Sequence, residues 1–237
     1  INTDATIAVV NGEVGLNDNG QCSLVEALIN ANATTAGQLN DDCPAGNLSG
    51  ADTVSLPSGG VFELTVAYDD SLPGHTGLPG ITSAVIIDGN GSHVYRSGDE
   101  GTPEFRILAV DSTGNLTLRD TTITGGSAYY YNGGGIYSKG ELTVEGSTIT
   151  DNYAGDGGGI YAEQVTIINS VISDNFLGSI YSALTQGGGV FANTLLVENS
   201  TISHNTAFEG GGIYAHEATI SGSRIVDNVA NYDYGAE

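Results

Sequence analysis

Carboxylates are the residues of this chain best suited to chemistry. The 237 residues include 28 Asp and Glu but only five Lys and Arg, which gives a formal net charge of −23 at pH 7. Two carboxylates roughly 6.5–9.5 Å apart can hydrolyse a glycosidic bond as acid and base. Among so many acidic residues, however, such a pair arises by chance. We therefore predict no catalytic residue and keep a polysaccharide-active lyase or hydrolase as the alternative.

Metal chemistry has a weaker basis in the sequence. No metal-site spacing occurs among the four histidines, His75, His93, His204 and His216. Asp151 and Asp174 occupy equivalent places in a repeated Asp-Asn pair, so their oxygens are candidate calcium ligands. Alternatively, both side chains simply point into water. His204 holds the next equivalent place, where it would lessen repulsion between stacked carboxylates. No other cofactor is predicted.

Aromatic side chains give a third candidate site, for binding rather than catalysis. Tyr and Phe recur at two places in each repeated segment of the second half of the chain. Exposed rings beside carboxylates suit stacking on sugar faces or burial against a protein partner. The alternative is a ladder of rings that supports only itself. The predicted glycan- or partner-binding residues are Tyr129, Tyr130, Tyr131, Tyr137, Tyr153, Tyr161, Phe176, Tyr181, Phe191, Phe208 and Tyr214.

The elements that position these residues follow from a repeat. Three consecutive glycines, then Ile or Val, then Tyr or Phe, occur four times. Successive copies are 24, 30 and 23 residues apart, starting at Gly133, Gly157, Gly187 and Gly210. A fixed period of this size is typical of a solenoid. The longest repeat inserts about seven residues within 176–186, next to the recurring aromatic residues. The insertion marks the side of the solenoid that carries these aromatic residues, the aromatic flank, as a contact surface.

A second motif with the same period defines the interior. Its clearest copy is Leu142-Thr-Val-Glu-Gly-Ser-Thr-Ile149. Val144 and Ile149 are five residues apart, so on one flat strand they would point to opposite faces. A turn between them brings both to one interior, and the residue types there tolerate a left-handed backbone. The five turn residues are Asp120, Gly146, Asn169, Asn199 and Gly222.

Three short strands and three corners in about 23 residues are typical of one rung of a parallel β-helix. Equivalent residues of successive rungs then stack about 4.8 Å apart. This predicts an inner Ile ladder and a Ser ladder. It also predicts a hydrogen-bonded Asn ladder at the second corner, made of Asn152, Asn175, Asn205 and Asn228.

The N-terminal segment lacks the repeat. Ser23 and Glu26 fit a capping box, and apolar residues at i, i+4 predict a short amphipathic helix over about 24–32. This helix is the candidate lid of the solenoid, tied down by a disulfide between Cys22 and Cys43. A reduced, buried pair is the alternative. We predict a cap over 1–50 and β-helix coils over 51–237, with the clearest repeats at 116–228.

The segment Cys22-Ser-Leu-Val-Glu-Ala27 resembles the N-terminal signature of secreted bacterial right-handed β-helix proteins, in which Arg stands where this chain has Val25. The coils are similar to repeats of the polymorphic outer-membrane-protein type. The resemblance implies an all-β, right-handed parallel β-helix (solenoid) with a short N-terminal capping helix. It also implies export to the cell surface or beyond.

These features together predict a non-catalytic extracellular structural or adhesive module. The acidic balance argues against nucleic acid and against anionic membranes or polysaccharides. No apolar run is long enough for membrane insertion, and the lack of Met predicts a processed chain. No C-terminal lid is visible in the sequence. The expected partners are a second copy, stacking head-to-tail into a filament through the open last rung, or the rest of a longer surface protein, with glycans as further ligands.

Overall fold

A computed structural model describes residues 6–16, 19–33, 40–47, 50–69, 72–177 and 185–230. Within these ranges the chain forms one helix, α1 (Leu24–Asn32), and a series of mostly parallel strands. The strands are β1 (Thr6–Ala8), β2 (Asp52–Ser55), β3 (Val61–Leu64), β4 (Ala84–Arg96), β5 (Leu108–Val110), β6 (Asn115–Thr124), β7 (Ser127–Asn132), β8 (Ile136–Glu145), β9 (Thr148–Thr150), β10 (Tyr153–Asp156), β11 (Ile160–Ile168), β12 (Val171–Ser173), β13 (Phe176–Leu177), β14 (Val190–Glu198), β15 (Thr201–Ser203), β16 (Thr206–Ala207), β17 (Ile213–Ser221), β18 (Arg224–Val226) and β19 (Val229–Ala230).

The helix forms where the capping box predicts it. The Ser23 hydroxyl accepts from the Glu26 N–H at 3.2 Å, and the Glu26 carboxylate accepts from the Ser23 N–H at 2.9 Å. Leu24 and Leu28 are buried and belong to the same core cluster as the coils. The helix contacts β1, β2 and β4, so it covers the N-terminal side of the core.

Two asparagines at the end of α1 fix the surrounding loops. The Asn30 amide donates to the carbonyls of Asn40, Cys43 and Pro44 at 3.0–3.1 Å. Asn32 donates to Gly80 O at 2.8 Å and accepts from Thr82 N at 2.9 Å. The first asparagine therefore holds the disulfide loop, and the second joins the helix to the first coil.

From β6 onward the rungs are regular. One long strand of each rung pairs in parallel with its copies, in the order β6, β8, β11, β14, β17. A short strand follows it, in the order β9, β12, β15, β18, and β6 itself continues into this position. The third strand forms a separate five-stranded sheet in the order β7, β10, β13, β16, β19.

The position of the third strand differs from expectation. The order of the motifs predicts a loop after the Asn corner and then a separate Gly-rich strand that completes the rung. Instead, the Ile-Tyr pair after the glycines begins the long strand, and the supposed loop is the third strand. It forms because Ala128, Ala154, Leu177 and Ala207 turn inward and pack as a small core of their own. The aromatic residues beside them therefore lie on a sheet surface.

Both predicted corners use left-handed backbone. At the first corner Asp120, Asn169 and Asn199 have φ of 43–49°, and glycine takes this place in the other two rungs. At the second corner Asp151, Asp174, His204 and Asp227 have φ of 54–57°. Residues in this conformation are Asn, Asp or Gly in most cases because their side chains tolerate it best.

The triple glycine has a steric reason. The first glycine is left-handed, with φ of 60° at Gly157. At the third, Gly159, an added Cβ would lie 2.7 Å from Gly189 O and 2.9 Å from the Asn175 amide nitrogen. Backbone of the next rung and the Asn ladder leave no room for a side chain there.

The Asn ladder is confirmed. Asn152, Asn175 and Asn205 are fully buried, and each amide nitrogen donates to the Oδ1 of the next Asn at 2.9–3.0 Å. The same oxygens accept from the backbone N–H one rung back, for example from Asn152 N at 3.1 Å. The Ser ladder works similarly, since Ser170 Oγ accepts from Ser147 N at 3.1 Å. Buried polar groups are thus paired along the axis.

The apolar inner columns are buried in every regular rung before the last described one. Val197 and Ile202 are fully buried. Their partners in the next rung are Ile220 and Ile225, which are 44% and 40% exposed. Within the described part of the chain, no strand lies over this end of the core.

Candidate functional site: the aromatic flank

The strand aromatics form one continuous stack. Ring centroids of Tyr137 and Tyr161 are 5.5 Å apart, those of Tyr161 and Phe191 are 4.6 Å apart, and those of Phe191 and Tyr214 are 5.4 Å apart. The rings are near parallel, with interplanar angles of 19°, 3° and 11°. Neighbouring rings therefore cover each other's faces, and the stack presents ring edges to the outside.

A buried arginine closes the first end of this stack. The Arg106 guanidinium carbon lies 4.8 Å from the centre of the Tyr137 ring, a cation–π contact. Its nitrogens donate to the carbonyls of Pro73, Gly74 and Asn132 at 2.7–3.2 Å. Burial lowers the pKa of Arg106 to about 10, so it remains charged at neutral pH. The repeat pattern does not predict this role, because Arg106 lies outside the repeats.

The third strands carry a second set of rings. Tyr129 and Tyr153 have centroids 5.5 Å apart, and Tyr153 and Phe176 have centroids 4.9 Å apart. These rings are tilted by 36° and 54°, so their faces are less completely covered than those of the strand stack. Phe176 is 47% exposed. Sugar stacking, which needs ring faces, is better served here than by the strand stack.

A bulge pushes further tyrosines outward from β7. Ala128 pairs with Ala154 and Asn132 pairs with Asp156. Three residues, Tyr129 to Tyr131, thus stand opposite the single Gly155. Bulges re-aim side chains, and Tyr130 is 75% exposed as a result. This triplet is the most accessible aromatic group of the flank.

A polar column lies between the two sets of rings. The residue before each triple glycine belongs to it, so its members are Asn132, Asp156, Gln186 and Glu209. Gln186 N donates to Asp156 Oδ1 at 2.8 Å, and the Gln186 amide donates to Glu209 Oε2 at 2.6 Å. Burial raises the pKa of Asp156, and the bond from Gln186 opposes that shift.

The polar column also affects the pKa of Tyr161. Burial is the main cause that raises its pKa, and the charges of Tyr137, Glu163 and Asp156 add to it, whereas a hydrogen bond with Asn132 lowers it. The flank is therefore acidic as well as aromatic.

Two cavities adjoin the tyrosine triplet. The larger, of about 370 Å³, is lined by residues of the 103–105 segment, by His75 and by the start of β7 through Tyr131. The smaller, of about 230 Å³, lies between Pro73, Tyr137 and the end of β7. The concave part of the flank is thus at its first rung.

A family model described as the right handed beta helix region matches residues 81–236. The chain belongs to the right-handed β-helix family. Neither the curated proteins nor the solved structures contain a significant match to it. The expected fold class is therefore confirmed by both the strand topology and the family. The similarity of the N-terminal signature and of the coils to particular secreted proteins stays a prediction.

The disulfide of this β-helix protein is present, as predicted, between Cys22 and Cys43. Both cysteines are buried beside α1. No helix among the described residues is both long and apolar enough to cross a membrane.

The candidate calcium ligands lie on the outside of the β-helix. Asp151 and Asp174 are exposed at the second corner, and Asp151 accepts a hydrogen bond from the Thr150 hydroxyl at 3.1 Å. Across the described ranges, no three His, Cys, Asp or Glu side chains gather as a metal site would require. His204 Nε2 lies 3.9 Å from Asp227 Oδ2, which fits its expected role between carboxylates. Calcium binding by this pair stays a prediction.

Two predicted binding residues remain, Phe208 and Tyr181. Phe208 is half-buried at the end of the flank. Tyr181 lies outside the described residues, as does most of the seven-residue insertion. The strand stack matches the alternative of a self-supporting ladder, whereas the exposed Tyr130, Tyr131 and Phe176 keep the contact role open.

Proposed function

We propose that this protein is a non-catalytic, extracellular structural or adhesive β-helix module. The observation that carries the proposal is the repetition of the flank. Its rings and its polar column recur in register over successive rungs, about 4.8 Å apart. A surface that repeats by translation suits an extended partner, whereas a catalyst needs a few groups that converge on one bond.

Location outside the cell is supported by the disulfide, and the charge narrows the choice of partner. Disulfides persist in oxidising compartments and are rare in the cytosol. A net charge of −23 disfavours anionic partners. We therefore expect the extended partner to be a neutral or cationic glycan or a protein segment.

Head-to-tail assembly is a form of the same structural role. The exposed Ile220 and Ile225 offer an apolar surface at the last described rung, and the strands there offer backbone hydrogen-bonding groups. A second copy, or a further part of a longer surface protein, would bury both.

The test is a surface-binding assay with the rings that offer free faces. Replacement of Tyr130, Tyr131 and Phe176 together by Ser should reduce binding to cells or immobilised glycans by at least tenfold, while the melting temperature changes little. The control is Tyr95→Ser, which removes a partly exposed ring on β4, away from the flank. Equal binding by the triple variant and the wild type would contradict the adhesive role.

A glycan-active enzyme is the second candidate, and one observation favours it. Asp156 and Glu209 lie two rungs apart in the polar column, roughly 10 Å, near the upper limit for inverting hydrolases of about 9.5 Å. The raised pKa of Asp156 suits a general acid. For a lyase the base would be harder to supply, since Arg119 Nε pairs with Glu145 Oε2 at 3.0 Å.

The enzyme candidate has its own test. Purified protein would be incubated with neutral and acidic polysaccharides and the release of reducing ends or unsaturated ends measured. Turnover that disappears in both Asp156→Asn and Glu209→Gln would establish hydrolysis and displace the adhesive proposal. Binding without turnover supports the non-catalytic role.

A further inference from the structure

The larger cavity of the flank has features that the proposed function leaves unused. It lies beside β7, the edge strand that begins the five-stranded sheet, where Ser127 N donates to Phe105 O at 2.8 Å. Its volume of about 370 Å³ is within the range of small-molecule sites. The side chains that matter are Glu104, Phe105, Tyr129 and Tyr130.

Two of these rings stand nearly at right angles. The Tyr129 and Tyr130 centroids are 4.6 Å apart with an interplanar angle of 78°. The bulge in β7 produces this arrangement. In β10 only Gly155 lies opposite this part of β7, so no side chain of β10 is paired with either ring. Both tyrosines line the cavity, and the faces of tyrosine rings attract cations.

The charges around the cavity favour the same kind of ligand. Glu104 is exposed at its rim and supplies a carboxylate. None of the described residues that line the cavity is a Lys or an Arg. Two arginines outside this lining are already bonded. Arg96, whose guanidinium carbon lies 5.6 Å from the centre of the Phe105 ring, donates to the carbonyls of Thr102 and Pro103, and the buried Arg106 donates to three others. Burial lowers the pKa of Arg96 and the charge of Glu104 opposes that shift, so a bound cation would share this carboxylate with Arg96.

The chain also provides an internal precedent. The guanidinium of Arg106 lies over the face of Tyr137, in the first rung of the flank. A cation on a tyrosine face is therefore already part of the construction of this flank. The overall charge of −23 adds long-range attraction for any cation.

We propose that this cavity binds an organic cation, specifically an alkylated ammonium group, with Tyr129 and Tyr130 as its aromatic walls and Glu104 as its counter-charge. The proposal assigns a ligand class to one end of the flank and so rests on the proposed binding role. An alkylammonium group fits better than a bare metal ion, because rings supply two of the walls and Glu104 is the only carboxylate among the described residues that line the cavity.

The experiment uses the full chain and a pair of isosteric probes. Choline and its uncharged analogue 3,3-dimethylbutan-1-ol would be titrated into the protein, with tyrosine fluorescence or chemical-shift changes as the readout. We expect saturable binding of choline, at least tenfold weaker binding of the neutral analogue, and weaker choline binding as salt increases. Equal binding of the two probes, or no saturable binding, would overturn the proposal.

Single substitutions then locate the site. Tyr130→Ser and Glu104→Gln should each weaken choline binding by about two- to fivefold, and Tyr130→Phe should keep it. The controls are Tyr214→Ser and Glu217→Gln, which remove the same chemical groups from the last described rung. Unchanged affinity in Tyr130→Ser and Glu104→Gln would place the cation elsewhere and refute this assignment.

The surface-binding assay separates this inference from the function on which it rests. Loss of adhesion in the triple aromatic variant together with absence of choline binding leaves the adhesive role intact and removes only the cation site. Choline binding without any surface binding would instead retain the site and refute the adhesive role.

Discussion

Ile172 illustrates how a single residue is fixed by its rung. It is fully buried, and it pairs in register with Ile149 and Ile202 on either side. The adjacent Val171 points outward and is 38% exposed. The alternation of one buried and one exposed residue therefore holds even in a strand of three residues.

We expect Ile172→Ala to lower the free energy of unfolding by roughly 2–5 kcal/mol, because the neighbouring rungs cannot close the cavity it leaves. Urea-induced unfolding measures the change. Val171→Ala is the matched control and should cost less than about 1 kcal/mol. A similarly small effect for Ile172→Ala would mean that the column is out of register.

Asp156 gives a prediction about pH. Burial raises its pKa in the folded state, so the fold binds a proton more tightly than the unfolded chain does. Its contribution to stability is therefore greatest below the unfolded pKa and is lost as pH rises through the folded pKa. Asp156→Asn removes this dependence and keeps the oxygen that Gln186 N requires.

The check is a comparison of melting temperatures for the wild type and Asp156→Asn between pH 3 and pH 7. The variant should gain relative to the wild type as pH rises. A variant that loses ground toward neutral pH would contradict the burial effect.

At the scale of elements, the N-terminal cap was readable from the sequence because it uses local signals. A capping box and i, i+4 apolar spacing specify a helix without any knowledge of its surroundings. Its disulfide closes the loop that Asn30 also holds through three carbonyls. The cap therefore has both covalent and hydrogen-bonded ties.

Reduction of the Cys22–Cys43 bond should destabilise the cap by about 3 kcal/mol, because the unfolded chain gains freedom. Thermal unfolding with and without a reductant measures this. The chain has no other cysteine, so any effect belongs to this bond. Free thiols in the native, unreduced protein would contradict the disulfide and weaken the argument for export.

The aromatic flank could be predicted only in part. Strand alternation predicts that Tyr137 and Tyr161 point away from the core, and the repeat puts them in one column. It does not predict that Tyr137 is itself buried, as the structure shows. Whether rings stack on each other or stand apart depends on their rotamers, which the sequence pattern does not contain. The bulge at Tyr129–Tyr131 did leave a signal, since three residues there correspond to Gly155 alone in the next repeat.

The first coils were harder to recognise for a related reason. Strands β2, β3 and β4 pair in parallel like the later ones, yet they lack the triple glycine. Their third side is an irregular segment, where Arg106 and its carbonyl partners take the place of stacked rings. The fold can therefore be predicted from the repeat where one rung packs on an equivalent rung. In the first coils it depends on individual contacts that the repeat does not contain.

For the whole molecule, the last described rung leads to a prediction about assembly. Electron microscopy of the purified protein, with and without Ca²⁺, should reveal end-to-end particles whose repeat is one β-helix length. Ile220→Glu should disperse them, because it places a charge on the exposed inner column. The control is Val171→Glu, on the outside of the wall. Discrete single particles in every condition would contradict self-assembly.

The hydrogen bonds along the axis have a consequence for how such a chain can change. Ser147 N donates to Ser170 Oγ just as Ser170 N donates to Ser200 Oγ, and the Asn ladder is equally uniform. Removal or duplication of one whole repeat in the gene would join like to like and leave each seam satisfied. Length is thus a heritable variable that moves in steps of about 4.8 Å. Recombination can therefore lengthen or shorten the β-helix by whole repeats while the contacts of its interior stay the same.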